Sequence, residues 1–331
     1  MDYNLFKEEL LLAIQDLADP EQSVSLHCID KNNGSCADAV IIMKKGGQIA
    51  PTFYLDDFYP WFCQGISIER IARRILELNQ QHQPEASFAL TDEVHDYQKM
   101  RTHVCYKLIN YEMNRSLLNK IPHIPYLDLA IVFYCKVTAP NLQNGSFLIH
   151  NSNLTAWNVS TDDLIRDARL NTCRKLPFCF KEMDALIREL SNDESLLPSE
   201  FSPNSMYILT NQETYFGAAA LLYPHVLSHI SALLGCNFFV LPSSVHECIL
   251  VPDFGVYSKP ELEEMVVEVN STQVAKEEVL SNHVYYYDLK KQELSLKRKK
   301  QPEVIFRLSA FNHYTLDKYS PVLVSILILS P

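Results

Sequence analysis

Residues 206–251 constrain the fold more than any other stretch of the chain. Residues 206–210 read as a strand, 215–234 as a long helix and 237–241 as a second strand; Pro242-Ser243-Ser244 reads as a tight turn and 245–251 as a third strand. This is the densest apolar sequence in the chain, and its sharp turn makes the last two strands a hairpin. It also gathers reactive side chains in one place: Ser243, Ser244, His246 and Glu247.

The rest of the chain is built in a similar way. Phe6, Leu10, Ile14 and Leu17 form one stripe of a helix over 4–18, which Asp19-Pro20 ends. Strands over 24–29 and 37–43 flank Asp30-Lys31-Asn32-Asn33-Gly34, and Gly46-Gly47 turns into a short strand at 52–55. Ser67 caps a helix whose Ile68, Ile71, Ala72, Ile75 and Leu78 face a core. A strand at 104–109 and a helix at 111–120 precede the apolar run 129–137, which reads as a strand buried on both faces. Gln143-Asn144-Gly145 is expected to turn the chain into a strand at 147–150. Ser160 with Asp163, and Ser258 with Glu261, have capping-box spacing. A short helix at 275–280 and a hairpin pairing 284–287 with 293–296 complete the pattern.

The fold class that follows is α+β: hairpin-built antiparallel or mixed sheets with Ser-capped helices packed on them. Residues 1–85 are expected to form an N-terminal α+β lobe and 100–296 the main α+β domain, with 297–331 a basic C-terminal tail. The polar residues 80–100 mark the division, and the Pro-containing residues 190–205 are a second candidate boundary. From 290 to 331 there are eight Lys or Arg against three Asp or Glu. Such a segment suits an acidic partner or a membrane surface, although a solvated linker is the more ordinary reading.

Several function classes are excluded by composition. Only 8 of 331 residues are glycine, and there is no GxGxxG, Walker loop or GxSxG, so phosphate-cradling loops and an α/β-hydrolase elbow are not expected. A net charge of −11 opposes non-specific binding to nucleic acid. The nine cysteines are odd in number and form no CxxC pair, so reduced thiols in a cytoplasmic protein are expected rather than a disulfide framework. Residues 1–19 lack the basic start of a signal peptide, and the apolar run 322–329 is too short to span a bilayer.

Longer phrases carry a family resemblance. They are Lys31-Asn32-Asn33-Gly34, Pro51-Thr52-Phe53-Tyr54-Leu55-Asp56-Asp57-Phe58-Tyr59, Tyr106-Lys107-Leu108-Ile109-Asn110-Tyr111-Glu112 and Asp128-Leu129-Ala130-Ile131-Val132-Phe133-Tyr134. Ile149-His150-Asn151-Ser152, Leu221-Leu222-Tyr223-Pro224 and Leu241-Pro242-Ser243-Ser244-Val245-His246-Glu247 follow. Over roughly residues 1–296 the chain resembles the bacterial domain-of-unknown-function family 5688. The resemblance implies no activity, cofactor or catalytic residue, and the basic tail lies outside it.

Ser244, His246 and Glu247 are the first candidates for chemistry. In a strand over 245–251, alternation puts Glu247 with Val245 and Ile249, and His246 on the opposite face. Glu247 then cannot orient His246, so a triad needs a carboxylate from elsewhere. The plainer reading is a turn whose serines satisfy backbone groups. A carboxylate on an apolar face is costly, so Glu247 is expected to pair with a basic or hydroxyl group or to line a pocket. His225 and His229 have the i, i+4 spacing of a metal pair, but HExxH and a third ligand are absent and no metal is expected. His150 and Asn151, at the end of a buried strand, can line a binding cleft or form a turn. Asp56 and Asp57 read as a cap beside core aromatics rather than a cation site. The expected function is a non-catalytic binding or accessory protein with a protein or small-molecule partner and no cofactor. The alternative is a hydrolase-like enzyme using Ser244 and His246.

Overall fold

The structure, a computed structural model, describes residues 2–45, 50–82, 94–139, 142–183, 185 and 205–296. It is an α+β fold with three antiparallel sheets among the described residues. The expected Gly46-Gly47 turn, most of the 190–205 segment and the basic tail at 297–331 lie outside them.

The first sheet contains the predicted hairpin, β1 (Gln22–Asp30) with β2 (Cys36–Lys44), followed by β3 (Thr52–Tyr54). Helices α1 (Tyr3–Leu17) and α2 (Ile68–His82) pack together beside it. Asp2 caps α1 by accepting from the Leu5 amide, and Ser67 accepts from Arg70 at the start of α2. The apolar stripes then meet: Phe6, Leu10 and Ile14 join Val40, Ile42, Ile71, Ala72 and Ile75 in one buried cluster. Each such Leu, Ile or Phe contributes roughly 1.5–3 kcal/mol by leaving water.

The second sheet is organised around β6 (Leu129–Ala139), the strand expected from the apolar run. β4 (Val104–Asn110) pairs along one edge of β6, while β5 (His123–Tyr126) and β7 (Leu142–Leu148) share the other. Every residue from Leu129 to Val137 is buried, as a central strand covered on both faces requires. Helices α3 (Asn151–Trp157) and α4 (Thr161–Lys175) follow, the latter starting in the predicted Ser160–Asp163 capping box.

The third sheet runs in the order β13-β12-β10-β11-β9-β8. Its strands are β8 (Phe178–Glu182), β9 (Tyr207–Asn211), β10 (Phe238–Leu241), β11 (Cys248–Pro252), β12 (Tyr285–Asp288) and β13 (Glu293–Ser295). Helix α5 (Val226–Leu234) precedes β10, and α6 (Lys259–Thr272), opened by the Ser258 capping box, packs Leu262 and Val266 on Phe239, Leu241 and Val251. The main core joins the second and third sheets through Tyr106, Ile131, Phe133, Leu209, Val240, Leu250 and Tyr285.

Several expectations are corrected. The long helix at 215–234 is a tight 3-10 stretch, Gly217–Leu222, and then α5, broken at Tyr223-Pro224-His225. Pro224 forces this break: it has no N–H to donate and it pushes Tyr223 into an extended conformation (ψ 137°). The helix at 111–120 shrinks to a 3-10 turn at Glu112–Asn114 and one helical turn, Arg115–Leu118. Residues 275–280 are an irregular turn, Gln143-Asn144-Gly145 lies inside β7, and the last strand of the hairpin begins at Cys248 rather than 245. Two of the nine cysteines, Cys28 and Cys36, form a disulfide across the first hairpin, which overturns the expectation that all are reduced. None of the helices among the described residues is long and apolar enough to cross a membrane.

Candidate functional site

The loop joining β10 to β11 holds its shape through its own serine. Ser244 Oγ accepts from the His246 amide at 3.0 Å and donates to Glu247 Oε1 at 3.1 Å, while the Ser244 amide donates to the Glu247 carbonyl at 3.2 Å. These local bonds compete with the strand ladder and explain why β11 starts late. Alternation along a strand therefore does not govern Glu247, which pairs with a hydroxyl group from within the loop. Ser244 is buried, with 5% of its surface exposed, so the hydroxyl is a fixture of the turn.

His246 points away from that serine. Its Nδ1 lies 3.0 Å from the Thr214 carbonyl and 3.3 Å from the Phe216 amide, so it either donates to the first or accepts from the second. Its Nε2 lies 3.6 Å from Glu278 Oε1. Both ring nitrogens thus face groups other than Ser244. The imidazole lies nearly parallel to the Phe216 ring, with centroids 5.8 Å apart.

The segment under the ring is fixed by Asn211 and Gly217. Asn211 Nδ2 donates to the Tyr215 carbonyl, and its Oδ1 accepts from the amides of Glu213 and Tyr215. Thr214 and Phe216 adopt left-handed backbone angles (φ 51° and 53°), an arrangement that costs a non-glycine residue energy and must be held by such bonds. At Gly217 a Cβ would sit 2.1 Å from Thr210 Oγ1 and 2.4 Å from the His246 carbonyl, so only glycine lets the segment pass so close beneath the loop.

Lys107 enters the same corner from β4. Its Nζ lies 3.9 Å from the centre of the Phe216 ring. Tyr134 packs edge-on to both Tyr215 and Phe216, and Tyr215 shares a 2.9 Å hydrogen bond with Ser146. Lys107 pairs with Val132 and Cys105 with Tyr134 across β4 and β6, so Lys107, Tyr134 and Lys136 share one face of the sheet. Lys136 is ion-paired with Glu213. Lys107 has no such partner among the described residues, and burial pushes its amine down to about 8. A lysine inside the apolar run Val104-Cys105-Tyr106-Lys107-Leu108-Ile109 was the sequence signal for this residue.

The irregular segment 275–284, expected to begin as a helix, connects this corner to the rest of the molecule. Asn side chains capture its carbonyls: Asn32 bonds Glu277, Asn33 bonds Lys276 and Val279, Asn110 bonds Leu280, and Asn270 bonds Ser281. The Val245 amide takes the Glu278 carbonyl, which holds the His246 loop beside the Glu278 side chain. Asp128 accepts from Ser281 Oγ at 2.6 Å, His283 Nδ1 at 2.9 Å and Tyr285 Oη at 2.6 Å. Burial disfavours its charge, but the bonds from His283, Ser281 and Tyr285 outweigh burial and hold the carboxyl below its ordinary range.

The remaining candidates have other tasks. His150 stands at the cap of α3, where its amide donates to Asn153 Oδ1. Asn151 ties the same helix to the carbonyls of Asn119 and Lys120. His225 precedes α5 in a left-handed conformation and is not on one helical face with His229, which corrects the i, i+4 pairing. Asp56 accepts from the Tyr3 hydroxyl within a 3-10 turn. No cluster of three or more His, Cys, Asp or Glu that could hold a metal ion occurs among the described residues.

Among known families, the model described as a family of unknown function, DUF5688, matches residues 3–289. No curated protein and no solved structure matches the chain.

Proposed function

The chain belongs to the DUF5688 family of unknown function, and since that membership brings no chemistry with it, we propose that the protein is a non-catalytic binding protein whose ligand is a small molecule taken at the Phe216–His246 corner. One observation carries this reading: the Ser244 hydroxyl is bonded to Glu247 and to the His246 amide, while both imidazole nitrogens face other groups. A nucleophilic serine needs its base within hydrogen-bond reach. The hydrolase-like alternative does find a carboxylate from another segment, Glu278. That carboxylate lies at Nε2, though, and Nδ1 is turned to the backbone, so no nitrogen is left for Ser244.

A fluorophosphonate probe tests the choice. The expected result is no labelling of Ser244. Labelling that disappears in Ser244→Ala and persists in Ser243→Ala would overturn the binding-protein reading in favour of the hydrolase.

A further inference from the structure

The ligand's chemical class can be read from the two lysines that share one face of the second sheet. Lys136 projects from the central strand β6 and Lys107 from its neighbour, the edge strand β4, yet among the described residues only Lys136 has a carboxylate partner, Glu213. The Lys107 ammonium has the face of Phe216 at 3.9 Å instead. A cation over an aromatic ring gains about 0.5–2 kcal/mol, less than burial of an unpaired charge costs. No carboxylate among the described residues pairs with Lys107, and burial depresses its amine. Taken as a whole the Lys107 side chain is half-buried rather than sealed in the core.

We propose that Lys107 anchors the carboxylate of a small monoanionic ligand, held against Phe216 at the corner formed with Tyr134, Tyr215 and His246. This rests on the reading of that corner as a binding site. A single negative charge fits better than a phosphate dianion. One ammonium has no carboxylate partner among the described residues, the neighbouring Lys136 is already neutralised by Glu213, Glu278 stands beside His246, and the whole chain carries −11. The rings beside Phe216 (Tyr134 from the sheet, Tyr215 from the turn and His246 from the loop) add aromatic surface to the corner.

Benzoate is a suitable probe, with inorganic phosphate as the comparison. Full-length protein with 13C-methylated lysines gives an NMR signal for Lys107, assigned by its disappearance in Lys107→Met. The expected result is that benzoate raises the midpoint of this signal by about one pH unit, which corresponds to tenfold tighter binding to the charged amine. Unmodified protein should take up protons on binding benzoate near pH 8, as calorimetry in buffers of different ionisation enthalpy reads, so the test does not depend on a variant. Lys107→Met should weaken benzoate binding at least tenfold with its circular dichroism unchanged. A Lys107 signal that ignores benzoate, or one that responds to phosphate alone, overturns the proposal. If Phe216→Ala abolishes benzoate binding while Lys107→Met does not, the corner remains a binding site and the anchoring role fails. Selective labelling of Ser244 instead removes the underlying reading.

Discussion

Asn33 and Asn114 hold each other by two hydrogen bonds. The Asn33 amide donates to Asn114 Oδ1 and Asn114 Nδ2 donates to Asn33 Oδ1, both at 2.8 Å. Asn33 sits at the tip of the first hairpin, 3% exposed and left-handed at φ 59°. Its side-chain amide also reaches the carbonyls of Lys276 and Val279. One buried residue thus links the first hairpin, the turn after β4 and the segment that carries Glu278.

Replacing Asn33 with Ala leaves the Asn114 amide and the carbonyls of Lys276 and Val279 short of a partner, and puts a residue with no side-chain hydrogen bond in the left-handed region. The expected loss is roughly 2–3 kcal/mol in urea unfolding. We further expect hydrogen exchange of this variant to show residues 1–85 opening before 100–296. A single cooperative opening at wild-type stability would contradict the linking role.

Asp128 gives a pH signature. Its carboxyl is held below the ordinary range by His283, Ser281 and Tyr285, so the stability it contributes is present above the unfolded value, near pH 3.9, and is lost as pH falls through its lower folded value. Asp128→Asn should cost roughly 2–4 kcal/mol at neutral pH and flatten the acid limb of stability against pH. An acid limb as steep in the variant as in the wild type would show that other carboxylates govern it.

Gly217→Ala tests how tightly the corner is assembled. The new methyl meets Thr210 Oγ1, the His246 carbonyl and the Asn211 amide, two of which are backbone and cannot swing aside. The expected cost is about 1–3 kcal/mol, with displaced His246 ring signals in NMR. A variant with unchanged thermal midpoint and unchanged His246 signals would mean the segment has room to move.

Much of the scaffold was legible because periodicity is local. The i, i+4 stripe of α1, the Ser160 and Ser258 capping boxes and the apolar run of β6 each report on a few neighbouring residues. The corner was only partly legible. Ser244, His246 and Glu247 stood out as residue types, but their roles follow from the loop's own hydrogen bonds, which replace the alternation of a strand. The break at Pro224 was readable from its missing donor and was masked by the apolar residues on both sides. Segment 275–284 has no repeat of its own. Its shape comes from asparagines as far away as residues 32 and 33, a distance over which no local pattern extends.

The Cys28–Cys36 disulfide is open to direct count. Protein purified without reductant and unfolded in denaturant should show seven titratable thiols, rising to nine after reduction. The bond closes a short loop, separation 8, whose constraint on the unfolded chain is worth roughly 2–3 kcal/mol. That loop contains Asn32 and Asn33, so reduction should loosen the same hairpin tip that grips Glu277, Lys276 and Val279. Cys28→Ser with Cys36→Ser should therefore lower the urea midpoint and raise hydrogen exchange at both the hairpin tip and residues 276–279. Nine thiols before reduction would remove the bond and leave the hairpin tip held by its strand ladder, the two asparagines and the Lys120–Asp30 ion pair.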